Sequence, residues 1–162
     1  MNKKDLLYVI KPEDQNEEAL ARLLGQHPEI KFVSLMGVDF AGNDTDEKIP
    51  MKIFLNDMEK FLEGSAAQTD GSSVVMPGIA TLNNARVDMV VDKTVNWFVD
   101  YNYEHFDAES GRMVGTQRIP CYLLHNGSFV DSRSILRNTL SYVGQEIKAL
   151  FKKHPVIPGL EH

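Results

Sequence analysis

Asp70-Gly71-Ser72-Ser73 is the segment whose residue types and spacing best suit chemistry. Gly71 permits tight backbone geometry, and two hydroxyls beside one carboxylate are small enough to sit at a loop tip facing a ligand. Such a carboxylate can bind a cation such as ammonium and accept a proton from it. The same residues also make an ordinary turn, since Asp, Gly and Ser are the commonest turn formers. Both readings stay open on spacing alone. Other reactive side chains offer less. None of His27, His105, His125, His154 and His162 shows the helical pair spacing of a metallohydrolase site, and turns or helix ends account for them. Cys121 lies in an apolar run without a flanking basic residue, which points to a buried, inert thiol. Glu104, Asp107 and Glu109 cluster near Gly111, but their spacing does not match a calcium loop, and solvated acids at a hairpin tip are expected. The Gly-rich phosphate-loop motifs are absent.

The elements that must position these residues can be read from periodicity. Asn16 to His27 predicts a short helix, with Ala19, Leu20, Leu23 and Leu24 on one face and Gly25 and Pro28 ending it. Ile30 to Phe40 fits a strand, Ala41 to Asp44 a turn, and Glu47 to Ile49 a second extended stretch. Pro50 suits the first turn of a helix in which Met51, Phe54, Leu55, Met58, Phe61 and Leu62 mark one face before Gly64. Gly64 to Arg86, which holds Asp70, shows no sustained period and is expected to be irregular. Val87 to Val91, Val95 to Tyr103 and Val114 to Leu124 read as strands, with turns at Asp107 to Arg112 and His125-Asn126-Gly127.

Asp131 to His154 then predicts a long amphipathic helix with Asp131 as its N-cap. Leu136, Leu140, Val143, Ile147 and Leu150 form its apolar stripe. That stripe either folds back on the sheet or opens a second domain. The methionines scatter through apolar runs as core filler.

A length of 162 residues allows about one domain at ~150 residues each, or one domain and part of another. With 43% hydrophobic and 25% charged residues, the composition is that of a globular protein. The net charge of −6 and the lack of any long basic run make nucleic acid an unexpected partner. One cysteine excludes an internal disulfide and a Cys-based zinc site. No run of ~18 apolar residues occurs to span a bilayer, and no signal peptide is evident at the N-terminus. No membrane partner is expected, and the expected location is cytoplasmic. Leu160-Glu161-His162 has the composition of a cloning junction before a histidine tag, so Gly159 is read as the last residue of interest.

Several segments, in order, resemble the glutamine synthetase family. Asp70-Gly71-Ser72-Ser73 resembles the family's Phe-Asp-Gly-Ser-Ser loop. Lys31 to Leu35 with Asp39-Phe40-Ala41-Gly42 is similar to its first strand and turn, and Lys48-Ile49-Pro50 to the approach to its next helix. Val87 to Thr94 is similar to its Ser-Asp-Met, Pro-Asp and Ser-Thr stretch, and Asp131 to Arg137 to the Asp-Pro-Arg signature that opens the catalytic domain. The chain departs from the pattern at Thr69, where the family has Phe, at Val74-Val75-Met76-Pro77, before Asp92, and at Ser132, where the family has Pro. The spacing from Asp70 to Asp88 is also longer than is common in the family. These departures mark a divergent member.

The resemblance implies an α+β, β-grasp fold: a mixed sheet of about five strands with a helix on one face. It implies domain limits of 1–130 for the β-grasp part and 131–159 for the first helix of a truncated catalytic domain, with 160–162 as the junction. The implied activity is that of a glutamate–ammonia ligase, which forms glutamine from glutamate, ammonia and ATP in homo-oligomeric rings and serves nitrogen metabolism. In it the β-grasp loop serves the catalytic domain of the adjacent subunit. Asp70 would be catalytic, binding and deprotonating ammonium, while Gly71, Ser72, Ser73 and Asp88 would bind or support substrate. ATP and Mg or Mn are implied for the parent enzyme only. No metal ligand or cofactor is assigned to this chain, which by itself is expected to be inactive. Two alternatives are a ligase joining glutamate to another amine and a stand-alone β-grasp interaction module.

Overall fold

The computed structural model describes residues 6–70 and 86–153. Its longest strand, β7 (Met113–His125), is the spine of a mixed sheet. β2 (Ile30–Val38) lies parallel to the first part of β7, from Ile30↔Gly115 to Met36↔Pro120. β5 (Arg86–Val91) and β6 (Trp97–Phe106) pair antiparallel with successive parts of it, Asp88↔Leu124 to Val91↔Cys121 and then Phe98↔Arg118 to Phe106↔Met113. β3 (Asp44–Pro50) continues from β2 as a hairpin, and β1 (Val9–Ile10) borders β6. β4 (Gln68–Asp70) adds to β5, and β8 (Ser128–Phe129) returns on the end of β7. The order β1-β6-β7-β2-β3 accounts for five strands; β4, β5 and β8 bring the described total to eight, more than the five or so expected.

Among the described residues, four α-helices complete this α+β architecture: α1 (Glu17–Gly25), α2 (Met51–Asn56), α3 (Met58–Glu63) and α4 (Ser132–Lys153). Leu20 and Leu24 of α1, Phe54 of α2 and Met58, Phe61 and Leu62 of α3 share one buried cluster with Val33, Leu35, Met89, Trp97, Ile119 and Leu123 of the sheet. Period-two burial along β7, from Met113 to Leu123, puts every second side chain into that core, as a strand with one covered face requires. α1 begins at Asn16, whose side chain accepts the Ala19 N–H at 3.0 Å, a standard cap.

Three expectations need correction. The helix after Pro50 is two short helices, because Asp57 leaves helical geometry (φ −118°, ψ 28°). Asn56 and Asp57 are poor helix-interior residues whose short polar side chains compete with the backbone. The extended stretch at Glu47 to Ile49 is longer, Asp44–Pro50, since it pairs along most of β2. Within the segment expected to be irregular, Gln68–Asp70 is a strand; three residues are too few to show a period.

α4 matches its expected limits, and Asp131 caps it, with Oδ1 accepting the Ser134 N–H at 2.8 Å. Its stripe does not fold back on the sheet. Leu136, Leu140 and Leu150 are 59–63% exposed, and Val143 and Ile147 are exposed as well. No described helix is long and apolar enough to cross a membrane.

Candidate functional site

Asp70 ends β4, the short strand that antiparallel pairing lays on β5: Gln68↔Asp88, Thr69↔Val87, Asp70↔Arg86. Four contacts fix this outlying pair. Gln68 Nε2 donates to Asp88 Oδ1 at 2.6 Å across the two strands. The Met89 N–H donates to the Ala67 carbonyl at 3.0 Å just before β4. The hydroxyls of Thr69 and Thr45 lie 3.3 Å apart, joining β4 to β3. The Arg86 carbonyl, opposite Asp70, accepts from His125 Nδ1 at 2.9 Å. Thr69, where a Phe was expected by resemblance, is buried. Beside β4 opens a cleft of about 320 Å³ lined by Glu47, Lys48, Ile53, Phe61 and Gln68 among others.

Of the site residues read from sequence, Asp70 therefore stands at the end of a sheet strand and Asp88 stands half-buried on its neighbour. Asp88 has one carboxylate oxygen engaged by Gln68. Gly71, Ser72 and Ser73 lie outside the described residues. Among the described residues, no group of three or more His, Cys, Asp or Glu side chains is placed to hold a metal ion.

A second polar centre sits where α4 leaves the sheet. Asp92, 2% exposed, accepts from the amide and hydroxyl of Thr94 at 2.9 and 2.6 Å and from Arg133 Nη1 at 2.9 Å. Burial opposes charge on this carboxyl, but the Thr94 donors, the Tyr122 hydroxyl and the Arg133 guanidinium outweigh it and hold its pKa below the ordinary value. Arg133 also donates to the Cys121 carbonyl at 3.2 Å and stacks over Tyr122, with Arg137 beside it. Trp97 Nε1 donates to the Asp92 carbonyl at 2.8 Å, tying this centre to the core. The centre is an anchor, with its charges spent on one another.

The remaining candidates are structural. Cys121 is buried, which pushes its thiol up to about 12, so a thiolate does not form near neutrality. Asp107 is not a solvated hairpin acid. It is 7% exposed, paired with Lys31 Nζ at 2.6 Å and bonded by the amide and hydroxyl of Ser110. Lys31 is 76 positions earlier in the sequence, so local composition could not reveal the pair. His125 and Gln68 had no separate signal either; only the register of β4 and β5 shows what they touch.

No family model matches the sequence, and no curated protein matches it. Solved structures do match the fold. The ADP complex of GmaS superposes with a TM-score of 0.50 at 12% identity, over 82% of this chain and 26% of that one. Plasmodium falciparum glutamine synthetase gives a TM-score of 0.52 at 18% identity, over 81% of this chain and 23% of that one. The fold is glutamine synthetase-like. This chain spans about a quarter of the length of either structure. The glutamine synthetase-like fold agrees with the order of the sequence segments that resemble that family, and it places two of them, around Asp92 and Arg133, in direct contact.

Proposed function

We propose that the chain is the N-terminal β-grasp region of a glutamine synthetase-type ligase, with α4 opening the catalytic domain, and that it is a homo-oligomer and cytoplasmic in its parent form. The observation that carries this is the position of Asp70. Asp70 ends a short strand tied to its neighbours on both sides, and Gly71, Ser72 and Ser73 follow it directly in the sequence. Asp70 binds ammonium and takes a proton from it as the nitrogen becomes a nucleophile. Asp88 supports the loop. The catalytic domain of an adjacent subunit supplies the rest of the site. In this reading ATP and Mg or Mn are bound by that catalytic domain, where they would neutralise phosphoryl charge.

One observation favours a different amine. Thr69 replaces the family's Phe, is buried and has its hydroxyl 3.3 Å from that of Thr45, so the side chain before Asp70 is smaller and more polar than a Phe. The second reading is therefore a ligase of glutamate with an amine other than ammonia.

The test is to read the gene beyond the codon for Gly159 and assay the complete protein for phosphate release dependent on glutamate, ATP and a panel of amines. Asp70→Ala should lower kcat/KM for the amine about a hundredfold while leaving KM for ATP unchanged. Unchanged amine kinetics would remove Asp70 from the site. A reading frame that stops at Gly159 would favour a stand-alone β-grasp module, with Asp70 only the last residue of β4. The 162-residue chain alone should give no turnover.

A further inference from the structure

The backbone ladder between β5 and β7 ends at Asp88↔Leu124, short of Arg86, the residue opposite Asp70. A side chain takes over where the ladder stops. His125 Nδ1 lies 2.9 Å from the Arg86 carbonyl oxygen. A carbonyl only accepts, so Nδ1 carries the proton. In the neutral ring Nε2 is then an acceptor, and the Asn126 amide nitrogen sits 2.9 Å from it. Both contacts demand the same tautomer. The ring itself is held by a tight hairpin: Asn126 and Gly127 take left-handed backbone (φ 47° and 77°), and β8 returns on β7 at Leu124↔Phe129 and His125↔Ser128.

We infer that His125 is a positioning residue for Asp70. It replaces the missing backbone donor at Arg86 and, across the β4–β5 pair, sets where β4 ends relative to the central strand. Gln68–Asp88 and Thr45–Thr69 hold the same strand from its other contacts, so removing His125 loosens the end of the ladder and leaves its middle in place. His125 touches no substrate in this role. The inference rests on the reading of Asp70 as the ammonium-binding carboxylate.

Two variants separate this role from plain hairpin stability. His125→Ala removes the donor. His125→Asn restores one, because the amide nitrogen of Asn occupies the place of imidazole Nδ1. In the 162-residue chain, ring ¹H–¹⁵N spectra should show a protonated Nδ1. Amide exchange in His125→Ala should rise about fivefold at Gln68–Asp70 and Arg86–Asp88, with Val33 unchanged, and His125→Asn should reverse it. In the complete ligase, His125→Ala should cut kcat/KM for ammonium about tenfold at unchanged KM for ATP, again reversed by His125→Asn. A protonated Nε2 instead, an exchange increase spread evenly over the sheet, or unchanged ammonium kinetics in an active enzyme would each overturn the inference. Wild-type protein without ammonium-dependent turnover would take down the ligase reading and the positioning role with it. The exchange result, read on the isolated chain, tells that failure apart from an error in the geometry.

Discussion

Arg133 Nη1 lies 2.9 Å from Asp92 Oδ2, joining the turn after β5 to the first turn of α4. The two residues belong to separate segments that resemble the glutamine synthetase family, and the contact joins those segments in space. Asp92 is nearly buried and already takes both Thr94 donors, so the guanidinium completes its shell. The same guanidinium reaches the Cys121 carbonyl on β7. Arg133 thus ties the first turn of α4 to the sheet, beside Asp131, whose carboxylate accepts the Leu123 N–H of β7 at 3.2 Å. The sequence departs from the family's pattern on both sides of this pair, with no Pro before Asp92 and Ser132 where a Pro is usual. The ion pair forms here without them.

Removing Arg133 should therefore cost stability through Asp92. Arg133→Ala leaves a nearly buried carboxylate with Thr94 and Tyr122 as its remaining donors, at a cost of about 2 kcal/mol. The half-exposed guanidinium keeps the figure from being larger. Arg133→Lys should lose less, since an ammonium keeps the charge but cannot reach both Asp92 and the Cys121 carbonyl in one plane. Urea unfolding at neutral pH measures both. A loss in Arg133→Ala below about 0.5 kcal/mol would show the pair to be worth no more than an exposed one.

The apolar stripe of α4 should contribute nothing to the stability of this chain. Leu136, Leu140, Val143, Ile147 and Leu150 alternate at spacings of four and three, the pattern of a seam that packs on another helix. All five are exposed, and the shallow groove of about 280 Å³ beside them is lined by α4 residues alone. Leu140→Glu with Leu150→Glu should leave the free energy of urea unfolding within about 0.5 kcal/mol of wild type. Leu20→Ala, which empties a site 1% exposed in the core, should cost about 3 kcal/mol. A large loss from the double Glu variant would mean that the stripe is packed in solution.

What could be read from the sequence was what local chemistry decides. Ala19, Leu20, Leu23 and Leu24 mark α1, Asp131 caps α4, and an apolar stretch marks β7, because each is governed by neighbours within a few residues; Gly25, in contrast, stays helical and is not the left-handed cap its type suggests. The segment order that resembles glutamine synthetases added the fold. What escaped is decided at long range. The three-residue β4 exists only because β5 is there to pair with it, and the break at Asp57 lies inside an unbroken apolar stripe. The candidate site follows the same division. Asp70 and Asp88 stand out by motif, whereas Gln68 and His125, which hold their strands, carry no signal until the register is known.

Asp107 gives the clearest pH dependence. The Lys31 ammonium and then the Ser110 hydroxyl and amide hold its carboxyl well below the ordinary 3.8, at about 2. A carboxyl depressed on folding stabilises the protein above its unfolded pKa, and that contribution is lost as pH falls through the folded value. The window here runs from about pH 4 down to about pH 2. Wild type should thus be more stable than Asp107→Asn at pH 5, with the gap closing across that window. Lys31→Met should shift the loss to higher pH, because Lys31 is the largest single cause of the depression. Urea midpoints of the three proteins from pH 5 to pH 2 decide it. A gap between wild type and Asp107→Asn that stays constant over this range would mean that the Asp107 carboxyl titrates alike in the folded and unfolded chains.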